Sequence, residues 1–241
     1  SPSISSFQIG PLTLHIYALC LIAGIIAAWT IGLRRWRARG GHTESFETVL
    51  IWTIPLGVVG ARIYHVLTHL GDYFAPGINP WSALFIWEGG IAIYGAVGFG
   101  ALACWWRCRV QRISFAALAD SLAPGIAVGQ ALGRFGNWFN QELYGQPTTL
   151  PWGLKIDPAH RAPGFEQYAT FHPTFLYESF WNVLVALITL WADRKFRLGR
   201  GKVFALYIAL YGFGRIFTEH IRLDYSYAVF GPIRFNEAVA M

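Results

Sequence analysis

Residues 12–33 read LTLHIYALCLIAGIIAAWTIGL, a run of 22 residues without an Asp, Glu, Lys or Arg. As a helix rising about 1.5 Å per residue, this run can cross the roughly 30 Å hydrocarbon core of a bilayer. The chain of 241 residues is only 13% charged, whereas ordinary globular proteins carry about 25% charged residues. Five further apolar runs follow the first, at residues 46–70, 91–106, 115–132, 175–191 and 203–221.

These six runs predict an all-α, polytopic helical membrane protein with six spans in this chain. A closed barrel is the other way to satisfy backbone groups in lipid, but it requires strands of about ten residues that alternate polar and apolar side chains. The sequence shows no such alternation. We also find no internal repeat, and we therefore expect a single integral membrane domain, residues 1–241.

The basic residues orient the predicted spans. Clusters of arginine and lysine follow the first, third and fifth runs, which by the positive-inside rule makes those loops cytoplasmic and places the N-terminus outside. This distribution argues against nucleic acid as the reason for the formal net charge of +6. A chain of this type often ends inside, which would require a seventh span beyond residue 241. The clusters are Arg34, Arg35, Arg37 and Arg39; Arg107, Arg109 and Arg112; and Arg194, Lys195, Arg197, Arg200 and Lys202.

Two polar segments are predicted to form a cap on the outer face. Residues 141–171, rich in Pro and Gly, are the longer segment, and residues 72–90 are the shorter one. Clusters of Pro and Gly are typical of loops rather than spans. We expect these segments to be extracytoplasmic.

No metal or cofactor is predicted. The cysteines lie in or beside spans without the second cysteine pair or the histidines that would complete a ligand set. We interpret them as packing residues. They are Cys20, Cys104 and Cys108.

Ionisable residues gather near the outer ends of the predicted spans. Each costs about 2.5–3.5 kcal/mol to place at span depth, so such residues usually have a function and face the protein interior. The motifs are GARIYH with Arg62, WEGG with Glu88, GRFGNWFNQELYG with Arg134 and Glu142, HPTFLYE with His172 and Glu178, and GRIFTEHIR with Arg215, Glu219 and Arg222.

Arg134 and Arg215 together indicate a clamp for a phospholipid headgroup. The planar guanidinium matches phosphate oxygens and stays charged in any environment. Asn137 and Asn140 would add neutral donors. An internal salt bridge is the alternative for Glu219, because its spacing places it on one helical face with Arg215 and Arg222.

The chain resembles the prolipoprotein diacylglyceryl transferases. GRFGNWFNQELYG looks like their signature, and it is accompanied in order by GPLTLHIYALC, GARIYH, WEGGIAIYG, HPTFLYE and GRIFTEHIR. The resemblance implies a seven-span enzyme of the bacterial cytoplasmic (inner) membrane, with its active site toward the outer leaflet. Such an enzyme moves the diacylglyceryl group of phosphatidylglycerol to the lipobox cysteine of a preprolipoprotein signal peptide, releases glycerol phosphate and uses no cofactor. This is the first step of bacterial lipoprotein maturation.

The resemblance also assigns residues. Arg134 is the phosphatidylglycerol-binding arginine and Arg215 the second essential one, both counted as catalytic. The other substrate-binding candidates lie in the same motifs: Asn137, Asn140, Glu142, Gly145, Tyr17, Arg62, Glu88, Tyr177, Glu178, Glu219 and Arg222.

One position departs from the family pattern. Many members have a histidine after the paired glycines, and this chain has Tyr94 there. A histidine base at that place therefore cannot be transferred to this chain. Tyr94 could orient substrate, relay a proton or pack, with orientation ranked first, and His172 is the spare proton acceptor because its ordinary pKa lies near neutrality.

Two other classes compete with this reading. A transporter or binding protein for an anionic solute or phospholipid would also place arginines between helices, but transporters usually show repeated halves, which are absent here. A scaffolding membrane protein has no need for so many ionisable residues at span depth.

Overall fold

The computed structural model describes residues 1–10, 12–223, 228–230 and 233–234, with only the backbone described for Leu12, Glu88 and residues 228–230 and 233–234. Long helices dominate it. The helices are α1 (Ile16–Ala38), α2 (Thr43–Thr68), α3 (Gly71–Phe74), α4 (Ile93–Val110), α5 (Phe115–Asn140), α6 (Thr174–Phe196) and α7 (Lys202–Ile221).

Short strands pair into three two-stranded antiparallel sheets: β1 (Ser6–Ile9) with β2 (Leu12–His15), β3 (Leu154–Lys155) with β4 (Thr170–Phe171), and β5 (Ala228–Phe230) with β6 (Ile233–Arg234). Single turns of 3₁₀ helix occur at Pro80–Leu84, Ile86–Glu88 and Pro158–His160.

Each of the six predicted spans corresponds to a long helix, which confirms the polytopic helical fold. By length and composition, four helices in the described part of the chain could cross a membrane: α1, α2, α5 and α6. Helix α4 has Arg107 and Arg109 in its last turn, and α7 contains Arg215 and Glu219. These charges lower the mean hydropathy of the helices α4 and α7.

Two boundaries differ from the predicted ones because hydropathy does not report hydrogen bonding. The first run was expected to begin its helix at residue 12, but residues 12–15 form strand β2, which pairs with β1 from Ser6↔His15 to Ile9↔Leu12. Gly10 supports the turn between these strands with a φ of +59°, a conformation that glycine adopts readily. Because strand β2 is largely apolar, hydropathy does not separate it from the span that follows.

Helix α5 extends eight residues beyond the predicted end of the fourth span, from Leu132 to Asn140. The first half of the signature is therefore helical. Gly136 allows this extension because it lies against the ring of Tyr17, where an added Cβ would be 2.4 Å from Cδ2. Arg134 and Asn137 are consequently fixed on a helix rather than carried by a loop.

By its contacts, the chain divides into two compact units, residues 1–35 with 119–241 and residues 36–118. In the first unit, α1 and α5 approach closely at small residues. A Cβ on Gly24 would lie 2.7 Å from the carbonyl oxygen of Gly129, and such contacts are typical of helix packing in membranes. Its buried core joins α5, α6 and α7 through Ala123, Ala127, Val185, Ala186, Val203 and Tyr207.

The first unit also contains a buried carboxylate that caps α7. Asp120 is fully buried, and its two side-chain oxygens accept hydrogen bonds at 3.0 Å from the backbone N–H groups of Gly201 and Phe204. Arg35 donates to the backbone carbonyl of Asp120 at 3.0 Å and pairs with Asp193 at 3.0 Å. The first turn of α7 is thus held by α5.

The predicted cap segment, residues 141–171, folds around a small core of Tyr144, Ile156 and Phe171. The Tyr144 hydroxyl donates to the carbonyl of His160 at 2.7 Å and accepts from the N–H of Ala162 at 2.6 Å. Burial raises the pKa of Tyr144 above its ordinary value. Its hydroxyl therefore stays protonated and serves as a structural hydrogen-bonding group.

In the second unit, α2 packs along α4. Phe46, Val49 and Leu50 of α2 are buried. Cys104 and Cys108 are buried on α4.

Candidate active site

Helices α5, α6 and α7 bring two of the predicted arginines to one carboxylate. Glu178 on α6 is buried, and its Oε2 lies 2.7 Å from Nε of Arg134 on α5. Its Oε1 lies 2.9 Å from Nη1 of Arg215 on α7. Two guanidinium groups from different helices are therefore linked through a single side chain.

A second carboxylate completes this group. Glu219 is fully buried, one turn after Arg215 on α7, and its Oε2 lies 2.7 Å from Nη2 of Arg215. Nη1 of Arg222 lies 3.7 Å from Glu178 and 4.0 Å from Glu219. We call these five residues, Arg134, Glu178, Arg215, Glu219 and Arg222, the arginine cluster.

Within the five described residues of the arginine cluster, three guanidinium groups face two carboxylates. Burial, followed by repulsion from Arg215, lowers the pKa of Arg222 to about 10. Arg222 therefore remains charged at neutral pH. Counted by themselves, these five side chains are cationic, which favours an anionic ligand.

A small hollow opens beside the cluster, and we call it the arginine hollow. Arg134 and Arg215 both line it, with side chains 19% and 15% exposed. Both guanidinium groups thus border the same small hollow. The complete lining is Arg134, Glu178, Trp181, Asn182, Tyr211, Gly214, Arg215 and Thr218.

The two asparagines of the signature both donate to the carboxylate of Glu142. Nδ2 of Asn137 donates to Oε1 of Glu142 at 2.8 Å, and Nδ2 of Asn140 donates to the same oxygen at 3.3 Å. The chain folds back after α5 through Gln141 and Leu143, which have φ values of +53° and +55°. This reversal places Glu142 beside the last turn of the helix.

Gly145 joins the cap segment to the end of α7. Its N–H donates to the carbonyl of His172 at 2.9 Å, and it forms an isolated β-bridge with Arg222. An added Cβ would lie 2.9 Å from the backbone oxygen of Ile221. The signature glycine therefore permits close backbone approach next to a member of the arginine cluster.

Among the remaining candidates in the first unit, His172 and Tyr177 are neighbours. Nδ1 of His172 lies 3.2 Å from the Tyr177 hydroxyl, which also accepts a hydrogen bond at 3.0 Å from Nε1 of Trp152. Tyr17 packs on Gly136, which follows Arg134 by two residues on α5. These contacts tie the cap segment to the first turn of α6.

Arg62, in the second unit, is occupied by backbone. Its guanidinium donates to the carbonyls of Ser82 at 2.6 Å, Ala83 at 2.9 Å and Gly90 at 3.0 Å, and also to that of Gly89. It also lies over the ring of Tyr73, 4.9 Å from the centroid. These are the contacts of a residue that holds a loop, so they favour a structural role over its predicted role as a substrate ligand.

Two predicted residues follow that loop or lie in it. Glu88 ends a 3₁₀ turn, and its side chain lies outside the described part of the chain. Tyr94 occupies the first turn of α4, is 38% exposed, and has its ring 6.1 Å from that of Tyr64. Both belong to the unit of residues 36–118.

Sequence reasoning missed Asn182, which also lines the arginine hollow. It follows Glu178 by four residues, so the two share one helical face. That spacing was the available signal. It was overlooked because Asn182 stands inside the apolar run at residues 175–191 and carries no charge.

Comparisons with known proteins agree with the motifs. A sequence profile described as prolipoprotein diacylglyceryl transferase matches residues 5–241. The chain is 52% identical over 241 residues to the phosphatidylglycerol–prolipoprotein diacylglyceryl transferase of Cutibacterium acnes, covering 100% of this chain and 81% of that protein. Two proteins named for the same activity, from Streptomyces coelicolor and Streptomyces griseus, are 52% and 49% identical, each covering 98% of this chain, and 74% and 71% of their own lengths.

Proposed function

The chain belongs to the prolipoprotein diacylglyceryl transferase family, and from this premise we infer that it transfers the diacylglyceryl group of phosphatidylglycerol to a cysteine thiol of prolipoproteins. It is a multi-pass membrane enzyme. The family match extends over nearly the whole chain, and relatives that are 52% and 49% identical are named for this activity.

The reaction replaces a carbon–oxygen bond by a carbon–sulfur bond. The thiol sulfur bonds to the carbon of the diacylglyceryl group that carries the phosphate. The bond from that carbon to the phosphate ester oxygen breaks. The electron pair stays on the phosphate, which leaves as glycerol phosphate, and the thiol loses its proton. Negative charge therefore accumulates on the phosphate in the transition state.

The guanidinium groups of the arginine cluster would stabilise this negative charge. A preorganised donor aimed at developing charge in a water-poor site typically contributes about 3–4 kcal/mol to transition-state stabilisation. Arg134 uses Nε for Glu178, so its two Nη groups can form the planar fork that matches phosphate oxygens. Arg215 is held at both Nη groups by carboxylates, and each retains a second N–H for the ligand.

The observation that carries this assignment is the link between Arg134 and Arg215. They come from separate helices, share Glu178 and line one hollow. A single phosphodiester in the arginine hollow can therefore contact both guanidinium groups. An isolated Arg215–Glu219 salt bridge would not require Arg134 and Arg215 to share Glu178 as well.

Proton removal is the easier part of the chemistry. A cysteine thiol has a reference pKa near 8.5, so only a modest drop in that pKa or a weak acceptor is required. We assign Tyr94 to substrate orientation first, because the ordinary pKa of tyrosine, near 10, makes it a poor base. His172 is the second candidate to take the proton.

We also propose where the reaction occurs. The thiol belongs to the lipobox cysteine of the signal peptide, and the site faces the outer leaflet of the bacterial cytoplasmic membrane. The basic loops after α1, α4 and α6 support a cytoplasmic location for those ends. The arginine cluster lies at the opposite ends of α5, α6 and α7.

A direct assay tests this function. Purified protein in vesicles of phosphatidylglycerol is incubated with a lipobox peptide, and the peptide mass is measured. We expect the peptide cysteine to gain one diacylglyceryl group and glycerol phosphate to appear in equal amount. Folded, inserted protein that produces neither would contradict the assignment and leave a binding or transport role.

A further inference from the structure

Asn182 presents an unused acceptor beside the arginine cluster. The side chain is 2% exposed and lies on α6 one turn after Glu178. Its Nδ2 donates to the backbone carbonyl of Glu178 at 2.9 Å, which identifies that atom as the nitrogen. Its Oδ1 is buried and accepts no hydrogen bond from any described residue.

Two other polar side chains of the lining donate to backbone carbonyls. Nε1 of Trp181 donates to the carbonyl of Leu210 at 2.9 Å, and the Thr218 hydroxyl donates to the carbonyl of Arg215 at 3.2 Å. The carboxylate of Glu178 is shared by arginines. The guanidinium groups of Arg134 and Arg215 and the amide of Asn182 therefore border the same hollow.

A buried acceptor without a partner is unfavourable, so native proteins rarely keep one unless water or a ligand satisfies it. Because Nδ2 is committed to the helix backbone, Oδ1 is the polar atom of this amide left for a ligand. The ligand atom that it requires is a hydrogen-bond donor. An anionic phosphate has none, so the donor must come from the group esterified to the phosphate.

The chemistry of the common phospholipid headgroups limits which of them could donate this hydrogen bond. A choline headgroup carries no donor, and an ethanolamine headgroup would bring an ammonium next to Arg134 and Arg215, where like charges repel. A glycerol headgroup is neutral and carries two free hydroxyls. We propose that Asn182 Oδ1 accepts a hydrogen bond from a headgroup hydroxyl and thereby selects phospholipids with a neutral polyol headgroup.

This proposal rests on the transfer function proposed above and adds the basis of lipid choice. Asn182 acts as a specificity residue, because it contacts the departing glycerol phosphate and not the bond that breaks. A site built to bind a hydroxyl discriminates strongly against an analogue without it, since the buried acceptor is then left unpaired.

The test compares two lipids that differ only in the headgroup hydroxyls, phosphatidylglycerol and phosphatidylpropanol with the same acyl chains. We measure kcat/KM for each lipid with a lipobox peptide. The wild-type enzyme should prefer phosphatidylglycerol by at least about tenfold, the discrimination expected from one buried hydrogen bond. Asn182→Leu should lose most of its activity on phosphatidylglycerol, bringing the two values to within roughly threefold.

Thr189→Val is the matched control, because Thr189 is fully buried on the same helix and its hydroxyl, among the described residues, donates only to the backbone carbonyls of Val185 and Ala186. It should keep the wild-type preference. If leucine prevents folding, Asn182→Ala replaces it in the same comparison.

Three results would overturn the proposal, and they are distinguishable. Equal use of both lipids by the wild-type enzyme excludes a selective hydroxyl contact while leaving the transfer function intact. An unchanged preference in folded Asn182→Leu or Asn182→Ala assigns Oδ1 to a bound water instead. Failure of the wild-type enzyme to use either lipid removes the proposed function itself, and this proposal with it.

Discussion

Arg134 and Arg215 approach Glu178 from two helices, so the carboxylate sets both the position and the orientation of the pair. In a buried site, a carboxylate that binds two guanidinium groups prevents them from repelling each other before substrate arrives. It also leaves the planar fork of Arg134 available. We therefore expect the shape of the Arg134 guanidinium, as well as its charge, to affect transfer.

Arg134→Lys tests the shape directly. Lysine keeps the charge but offers a compact point charge in place of a planar fork with bidentate geometry. We expect transfer to fall by about 10²–10³-fold, the usual cost of removing one transition-state donor. The rate of peptide modification in phosphatidylglycerol vesicles measures this, and a rate within about threefold of wild type would contradict a bidentate contact.

Arg62 shows how a residue chosen as a substrate ligand can instead organise a loop. Its guanidinium contacts four backbone carbonyls in residues 82–90. Arg62→Ala should therefore increase hydrogen exchange of this loop, since its carbonyls lose their shared donor. Arg109→Ala, an exposed arginine of α4 near Trp105, is the control and should leave that exchange unchanged. Unaltered exchange in Arg62→Ala would favour a direct role in binding substrate.

At the scale of elements, α7 depends on a cap from another helix. Asp120 accepts from two N–H groups at the start of α7, where orphan donors and the helix dipole favour a carboxylate. Asp120→Ala should lower the free energy of unfolding by about 2 kcal/mol, the upper range for loss of a cap.

The measurement is the thermal midpoint of the protein in detergent. Asp72→Ala, which removes an exposed carboxylate, should leave that midpoint unchanged. An Asp120→Ala variant as stable as wild type would show that the start of α7 does not depend on this contact.

Hydropathy predicted the six long helices because a membrane span requires a run of apolar residues, and such a run is visible in the sequence. It could not predict that the signature continues α5 to Asn140, since Gly133, Arg134 and Gly136 look like the end of a span. The extension depends on Tyr17 from α1 packing on Gly136, which is a tertiary contact. Strand β2 was missed for a similar reason, because hydropathy does not report its backbone pairing with β1.

At the scale of the whole molecule, the motifs suggested candidate site residues but not what each one contacts. The sequence alone suggested that Arg215 could pair with Glu219, because their spacing is local. It could not predict that Glu178 on α6 links Arg134 to Arg215, since this depends on which helices are neighbours. Asn182 was missed because an uncharged amide in an apolar run resembles packing.

The proposed orientation makes a separate prediction. Gln167 is exposed in the cap segment, and Arg39 is exposed after α1. In intact cells, a membrane-impermeant maleimide should label Gln167→Cys but not Arg39→Cys, which should react only after the membrane is opened. The parent protein, with Cys104 and Cys108 buried, gives the background. The reverse labelling pattern would contradict an N-terminus and site on the outer side.

The central claim, that Arg134 and Arg215 hold one phosphatidylglycerol phosphate between them, is tested most directly by lipid binding to single variants. Native mass spectrometry of Arg134→Ala, Arg215→Ala and the Thr189→Val control measures phosphatidylglycerol retained per folded chain. We predict one bound lipid for wild type and Thr189→Val, and its loss from each arginine variant together with loss of transfer. Retention of the lipid with normal transfer in either arginine variant would contradict the claim.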